Sequence, residues 1–119
     1  MSRRVAISVR NRNGLESALD PRFGRAPAFV IADVESGGLV AEFDNDFAQE
    51  AQGAGTATAA RISGERVDAV ISGAFGPKAY EALNKLGIEM WLAPDTITAH
   101  EALARFALGI LEPMKMKVY

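Results

Sequence analysis

The 119 residues contain no cysteine. That absence excludes disulfides, thiolate metal sites and iron–sulfur clusters ligated by cysteines of this chain. It also fits a reducing, cytosolic setting. Histidine is nearly missing as well: His100 is the only one. Without a cysteine nucleophile or a Gly-x-Ser-x-Gly elbow, no catalytic triad can be assembled by pattern. No apolar run is long enough for a membrane span. The opening Met1-Ser2-Arg3-Arg4-Val5 goes straight into a strand-like pattern and lacks a signal peptide's apolar core. A cytoplasmic protein with no membrane association is therefore expected. A formal net charge of −2 gives no global nucleic-acid footprint. A two-metal nuclease would place carboxylates on central strands, and Val5-Ala6-Ile7-Ser8-Val9 has none.

The charge that is present is unevenly spread. Residues 1 to 25 hold six of the 13 Lys/Arg and only Glu16 and Asp20 of the 15 acids. An arginine-rich edge on an acidic body favours a small anionic ligand over a long polyanion. The densest part is Asp20-Pro21-Arg22-Phe23-Gly24-Arg25-Ala26-Pro27. Two guanidiniums beside an aromatic ring and a glycine can hold an anion against the backbone. The same stretch also reads as a solvated loop with Phe23 tucked into the core.

Hydrophobic residues make up 49% of the chain, enough for one core, so a single domain over residues 1 to 119 is expected. The apolar runs at 4–9, 28–34 and 39–43 read as strands, the last two joined at Glu35-Ser36-Gly37-Gly38 into a hairpin. Alanine-rich helical spacing follows over 49–62, then a strand over 68–72. Pro77 suits the first turn of a helix that stops at Gly87. A strand over 88–92 leads to a helix capped by Thr96 or Thr98, with Ile110 on its apolar stripe and Pro113 as its stop. A short basic tail spans 114–119. The predicted order is β-β-β-α-β-α-β-α. It implies an α/β fold with a mixed five-stranded sheet covered by helices, whose later strands run parallel.

Three glycine loops stand out in that order. They are Phe23-Gly24-Arg25, Gly53-Ala54-Gly55-Thr56 and Gly73-Ala74-Phe75-Gly76-Pro77. The last joins a strand's carboxyl end to a helix N-terminus, where open α/β sheets bind ligands. None is a nucleotide fingerprint. Gly53-Ala54-Gly55 lacks the third glycine, and Gly76-Pro77-Lys78 lacks the P-loop spacing and hydroxyl. Turn geometry and close helix–sheet packing account for each loop equally well. His100, near the start of the last helix, reads either as a helix-end residue or as one exposed ligand to a preassembled cluster.

Together these features resemble the dinitrogenase iron–molybdenum cofactor biosynthesis family, which includes small nitrogenase accessory carriers. The resemblance covers nearly the whole chain. It rests on the strand Val5 to Val9, the block Arg22 to Phe29, the Gly53-Ala54-Gly55 helix, and Val67 to Gly73 running into Gly76-Pro77-Lys78-Ala79. It implies a ribonuclease H-like sandwich and a non-catalytic carrier of an anionic iron–sulfur or iron–molybdenum cofactor precursor. The implied partners are cofactor-assembly or nitrogenase-type proteins, and the implied state is a monomer or weak homo-oligomer. Arg22, Phe23, Gly24, Arg25, Gly53, Gly55, Gly73 and Gly76 would line the ligand side, with His100 as a labile metal ligand. Members often carry histidine where Arg22 stands and near the Gly-x-Gly segment, where this chain has Gln49 and Gln52. The resemblance thus implies outer-sphere grip on a charged cluster rather than direct metal coordination. The other readings are a small-anion or protein-binding regulatory module and a diverged ribonuclease H-like hydrolase.

Overall fold

In a computed structural model, residues 3–115 are described. The last part of the basic tail, residues 116–119, lies outside them. The elements are β1 (Arg4–Val9), β2 (Ala28–Asp33), β3 (Leu39–Asp44), α1 (Ala54–Ser63), β4 (Ala69–Ser72), α2 (Pro77–Lys85), β5 (Glu89–Leu92), α3 (Ala99–Ala107) and β6 (Glu112–Pro113). They form one mixed sheet of order β3-β2-β1-β4-β5-β6. β1 is antiparallel to β2 and parallel to β4, and β4 is parallel to β5. The short turn after β2 forces the β2–β3 pair antiparallel, and the helical crossovers permit the parallel pairs.

The central strands are apolar on both faces because both are covered. Val5, Ile7, Val9, Val30, Ala32 and Ile71 pack against α3. Ala6, Phe29, Ile31 and Val70 face the opposite layer, which holds Ile62 of α1 and Leu83 of α2. Continuous apolar runs, rather than alternation, are what doubly covered strands require.

Among the described residues the sheet has six strands, not the five expected. The cause lies after α3, which stops at Ala107 instead of continuing towards Pro113. Gly109 takes a left-handed φ of 72° and reverses the chain. Ile110 is then 64% exposed rather than on an apolar stripe. Glu112 and Pro113 pair antiparallel with β5 at the sheet edge, where a proline's missing N–H costs nothing. The first helix also starts five residues later than its alanine spacing suggests. Asn45 to Gln52 form turns instead, and Gly53, with φ of 79°, supplies the left-handed residue before α1. For α3, Thr98 is the cap: its side-chain oxygen accepts from the Glu101 N–H at 3.2 Å.

Candidate functional site

Three segments meet beyond the carboxyl ends of β1 and β4 and enclose an open cleft of about 650 Å³. The arginine loop contributes Arg22, Phe23, Gly24 and Arg25. The approach to α1 contributes Ala51, Gln52, Gly53, Ala54 and Gly55, and the start of α2 contributes Ala74 and Gly76 to Ala79. Seven of the eight residues expected on the ligand side therefore line one cavity. Gly73 does not. It packs behind the wall, where an added Cβ would lie 2.7 Å from Pro21 Cα.

Small residues bring the walls together. A Cβ on Gly24 would sit 3.0 Å from Gly55 Cα, and one on Gly55 would sit 3.0 Å from Ala79 Cβ. The arginine loop, α1 and α2 thus stack through Gly24, Gly55 and Ala79. Behind this stack Phe23 is 1% exposed, packed on Phe29 and Phe75 with ring centroids 5.5 and 5.3 Å away. It anchors the loop and is no exposed stacking platform. Buried Asn45 ties the same segments together. Its Nδ2 donates to the carbonyls of Gly24 (3.3 Å) and Ala26 (3.0 Å). Its Oδ1 accepts from the Phe47 N–H (3.1 Å) and the Thr58 hydroxyl of α1 (3.3 Å).

The helix ends supply the electrostatics. α1 and α2 follow the N-cap residues Gly53 and Gly76, with no side-chain cap and no acid in the first turn. Their free N–H groups and positive dipole ends therefore open on the cleft. α3, on the other layer, has both a cap and Glu101 in its first turn. Lys78 sits in the first turn of α2, exposed, on the cleft wall. A cation there opposes the helix dipole, so the position favours a nearby anion.

The arginines are more committed than the sequence suggests. Arg22 faces the buried Asp20 carboxylate, with Nη2 3.2 Å from Oδ2 and Nε 3.3 Å from Oδ1. This hydrogen bonding, reinforced by the carboxylate's charge, raises the Arg22 pKa. Arg25 donates through Nη1 to the carbonyls of Ala48 (3.1 Å) and Glu50, pinning the turns before α1. Outside the cleft, Arg3 pairs with Glu89, Arg10 with Asp95, and Arg12 with Glu42 and Asp44. Much of the arginine-rich edge is thereby matched to the acidic body. Among the described residues Lys78, a cleft residue beyond those expected from the sequence, has no side-chain hydrogen-bond or ion-pair partner. Its place in the first turn of a helix was the signal.

His100 is exposed on α3, across the sheet from the cleft, and its backbone N–H donates to Leu15. Among the described residues no group of three or more His, Cys, Asp or Glu is placed to hold a metal ion. The cleft walls carry no thiol, imidazole or carboxylate. They can offer N–H donors and positive charge, but not direct coordination to a metal.

Fold and cleft together define a small α/β protein with a ligand-sized cleft at the carboxyl ends of parallel strands. Residues 3–109 match the family model described as dinitrogenase iron-molybdenum cofactor, and the chain belongs to that family. An uncharacterised protein of Methanocaldococcus jannaschii is 32% identical over 111 residues, covering 92% of this chain and 89% of its own. The apo form of the orange protein of Desulfovibrio gigas superposes with a TM-score of 0.87 at 30% identity, covering 97% of this chain and 98% of that one. A Thermotoga protein provisionally designated NifB superposes with a TM-score of 0.82 at 29% identity, covering 100% of this chain and 98% of that one. The family links the chain to iron–molybdenum cofactor biosynthesis. No helix among the described residues is long and apolar enough to cross a membrane.

Proposed function

We infer that this protein is a non-catalytic carrier that binds an anionic metal–sulfur cofactor or precursor in the cleft and passes it on. The observation that carries this reading is the convergence of two uncapped helix N-termini and exposed Lys78 on one cavity with small walls. Helix N-termini and a lysine recognise negative charge without requiring one ligand geometry. With no coordinating side chain on the walls, the metals keep their own ligands, and the protein grips the outer sulfur or oxygen atoms by N–H donation. A cargo held this way can leave without breaking a metal–protein bond, which suits transfer.

Size favours a polynuclear cargo. The cleft holds about 650 Å³. A water's share of liquid volume is about 30 Å³, so a single tetrahedral oxyanion would leave most of the space unfilled. The apo form recorded for the orange protein supports a ligand-bearing relative. The partners are then cofactor-assembly or nitrogenase-type proteins in the cytoplasm. The chain is read as one domain of ribonuclease H-like layering, a label supported by the order β3-β2-β1-β4-β5 with β2 antiparallel to both its neighbours.

Anaerobic titration with isolated cofactor precursor tests the reading. Saturable binding that weakens in Lys78→Ala is the expected result. Protection by inorganic phosphate with no response to the precursor would instead favour the small-anion module.

A further inference from the structure

Behind the cleft wall lies a buried acid that an anion site would not be expected to tolerate. Asp20 is 1% exposed and lies directly behind Arg22. Its Oδ1 accepts from the Arg22 backbone N–H at 2.9 Å and from Nε at 3.3 Å, and its Oδ2 accepts from Nη2 at 3.2 Å. Both edges of the carboxylate are thus spent on one residue. The Arg22 side chain remains 60% exposed, and among the described residues Nη1 makes no hydrogen bond.

Asp20 is itself held from behind. Its N–H donates to the Ser8 carbonyl at 2.9 Å, and its carbonyl accepts from the Ser8 hydroxyl at 2.7 Å. The Ser8 and Ser72 hydroxyls lie 2.8 Å apart, joining the ends of β1 and β4. Pro21 packs on Gly73, the close approach that any larger residue there would block. Phe23 N–H donates to the Ala74 carbonyl at 3.2 Å, so the arginine loop is tied to the loop that begins α2. The carboxylate is therefore fixed to the two central parallel strands, and the guanidinium is fixed to the carboxylate.

We propose that Asp20 is a positioning residue that holds the Arg22 guanidinium with its free edge towards the cleft, so that an anion meets an oriented donor. The proposal rests on the reading of the cleft as an anion site, and it extends that reading to a residue outside the cleft wall. A planar fork pre-set by a carboxylate loses less freedom on binding than a loose side chain. The same argument explains why Gly73, absent from the cavity lining, matters to it: it lets the Asp20-Pro21-Arg22 segment lie flat on the strand ends.

The test separates orientation from charge, because the two predict opposite signs. Asp20→Asn keeps an oxygen to accept the Arg22 N–H, so the turn survives, but it removes a negative charge beside the cleft. If charge alone governs binding, this variant binds tetrathiomolybdate, an anionic molybdenum–sulfur probe, more tightly than the parent. The positioning role predicts weaker binding, on the order of tenfold. In an Arg22→Ala background the same substitution should then produce no further loss. Arg22→Lys keeps the charge without the fork and gives a second route should Asp20→Asn fold poorly: near-parental affinity there would overturn the proposal.

A ligand-free readout accompanies the titrations. In 15N spectra the Arg22 Nε–H should be ordered and slow to exchange in the parent and lose that protection in Asp20→Asn. An unchanged Nε–H signal refutes the positioning role whatever the binding result. A parent that shows the protected Nε–H but binds no anion would refute the cleft's function while leaving the pairing intact.

Discussion

Replacing Gly73 with alanine isolates the contact that holds the arginine loop against the sheet. The added Cβ would lie 2.7 Å from Pro21 Cα, 2.8 Å from its Cβ and 3.0 Å from its carbonyl oxygen. Two of these three atoms are backbone, so no flexible side chain can swing aside. Pro21 cannot retreat easily either. Asp20 on one side is tied to Ser8 by two hydrogen bonds, and Phe23 on the other bonds to Ala74. Gly73 follows Ser72, whose carbonyl accepts from Ala93. Overpacking a well-fixed contact costs about 1–3 kcal/mol. For a chain of this size each kcal/mol lowers the melting temperature by roughly 3–5 °C. Gly73→Ala should therefore melt about 3–15 °C below the parent, with an unchanged urea m-value. Gly76→Ala is the control. Nothing lies within 4 Å of its added Cβ, and its φ of −70° suits alanine. It should stay within about 1 kcal/mol of the parent while narrowing the cleft and weakening anion binding. A Gly73→Ala protein that melts within about 1 °C of the parent would refute the argument.

Other substitutions follow from the same geometry. Lys78→Ala should lower anion affinity about tenfold, reduce its salt dependence and leave the melting temperature unmoved, as read by titration at two ionic strengths. Asn45→Asp sets a carboxylate against the carbonyls of Gly24 and Ala26 and should cost about 2–4 kcal/mol in urea unfolding. Arg25→Gln frees the carbonyls of Ala48 and Glu50, so the turns before α1 should exchange amide hydrogens faster while the central strands do not. His100→Ala, on the far layer, should leave both anion binding and stability at parental values.

How much of this could be read from the sequence depended on whether local chemistry or tertiary contact decided the outcome. β1 was legible to the residue because a short apolar run entered directly from a charged N-terminus can hardly be anything but a buried strand. Pro77 marked the start of α2, and Thr96 or Thr98 that of α3, of which Thr98 is the cap, because proline at the first position and a capping hydroxyl act within one turn. The start of the first helix was misjudged because the helical spacing read over 49–62 extends through Ala51 into residues that turns satisfy equally well. Asn45 and Arg25 hold those turns through bonds to residues about twenty positions away. β6 was missed for a related reason: two residues have no periodicity, and Pro113 reads as a stop. The gathering of the three glycine loops on one side was an expectation of the family resemblance, while the loops' own residues were equally well explained by turns and packing. The pairing of Arg22 with Asp20 was adjacent in sequence yet went unread, since only the structure shows that Asp20 is buried and Arg22 its neutralising partner. Gly73 looked like a ligand glycine, but close packing on Pro21 explains it.

The most direct test of the cleft as the cargo site is to map backbone amide shifts during an anaerobic titration with isolated cofactor precursor. The account predicts saturable changes confined to residues 22–25, 51–56 and 74–79, with α3 and His100 silent. Saturable binding whose shifts gather on α3 around His100, with the cleft unchanged, would contradict it.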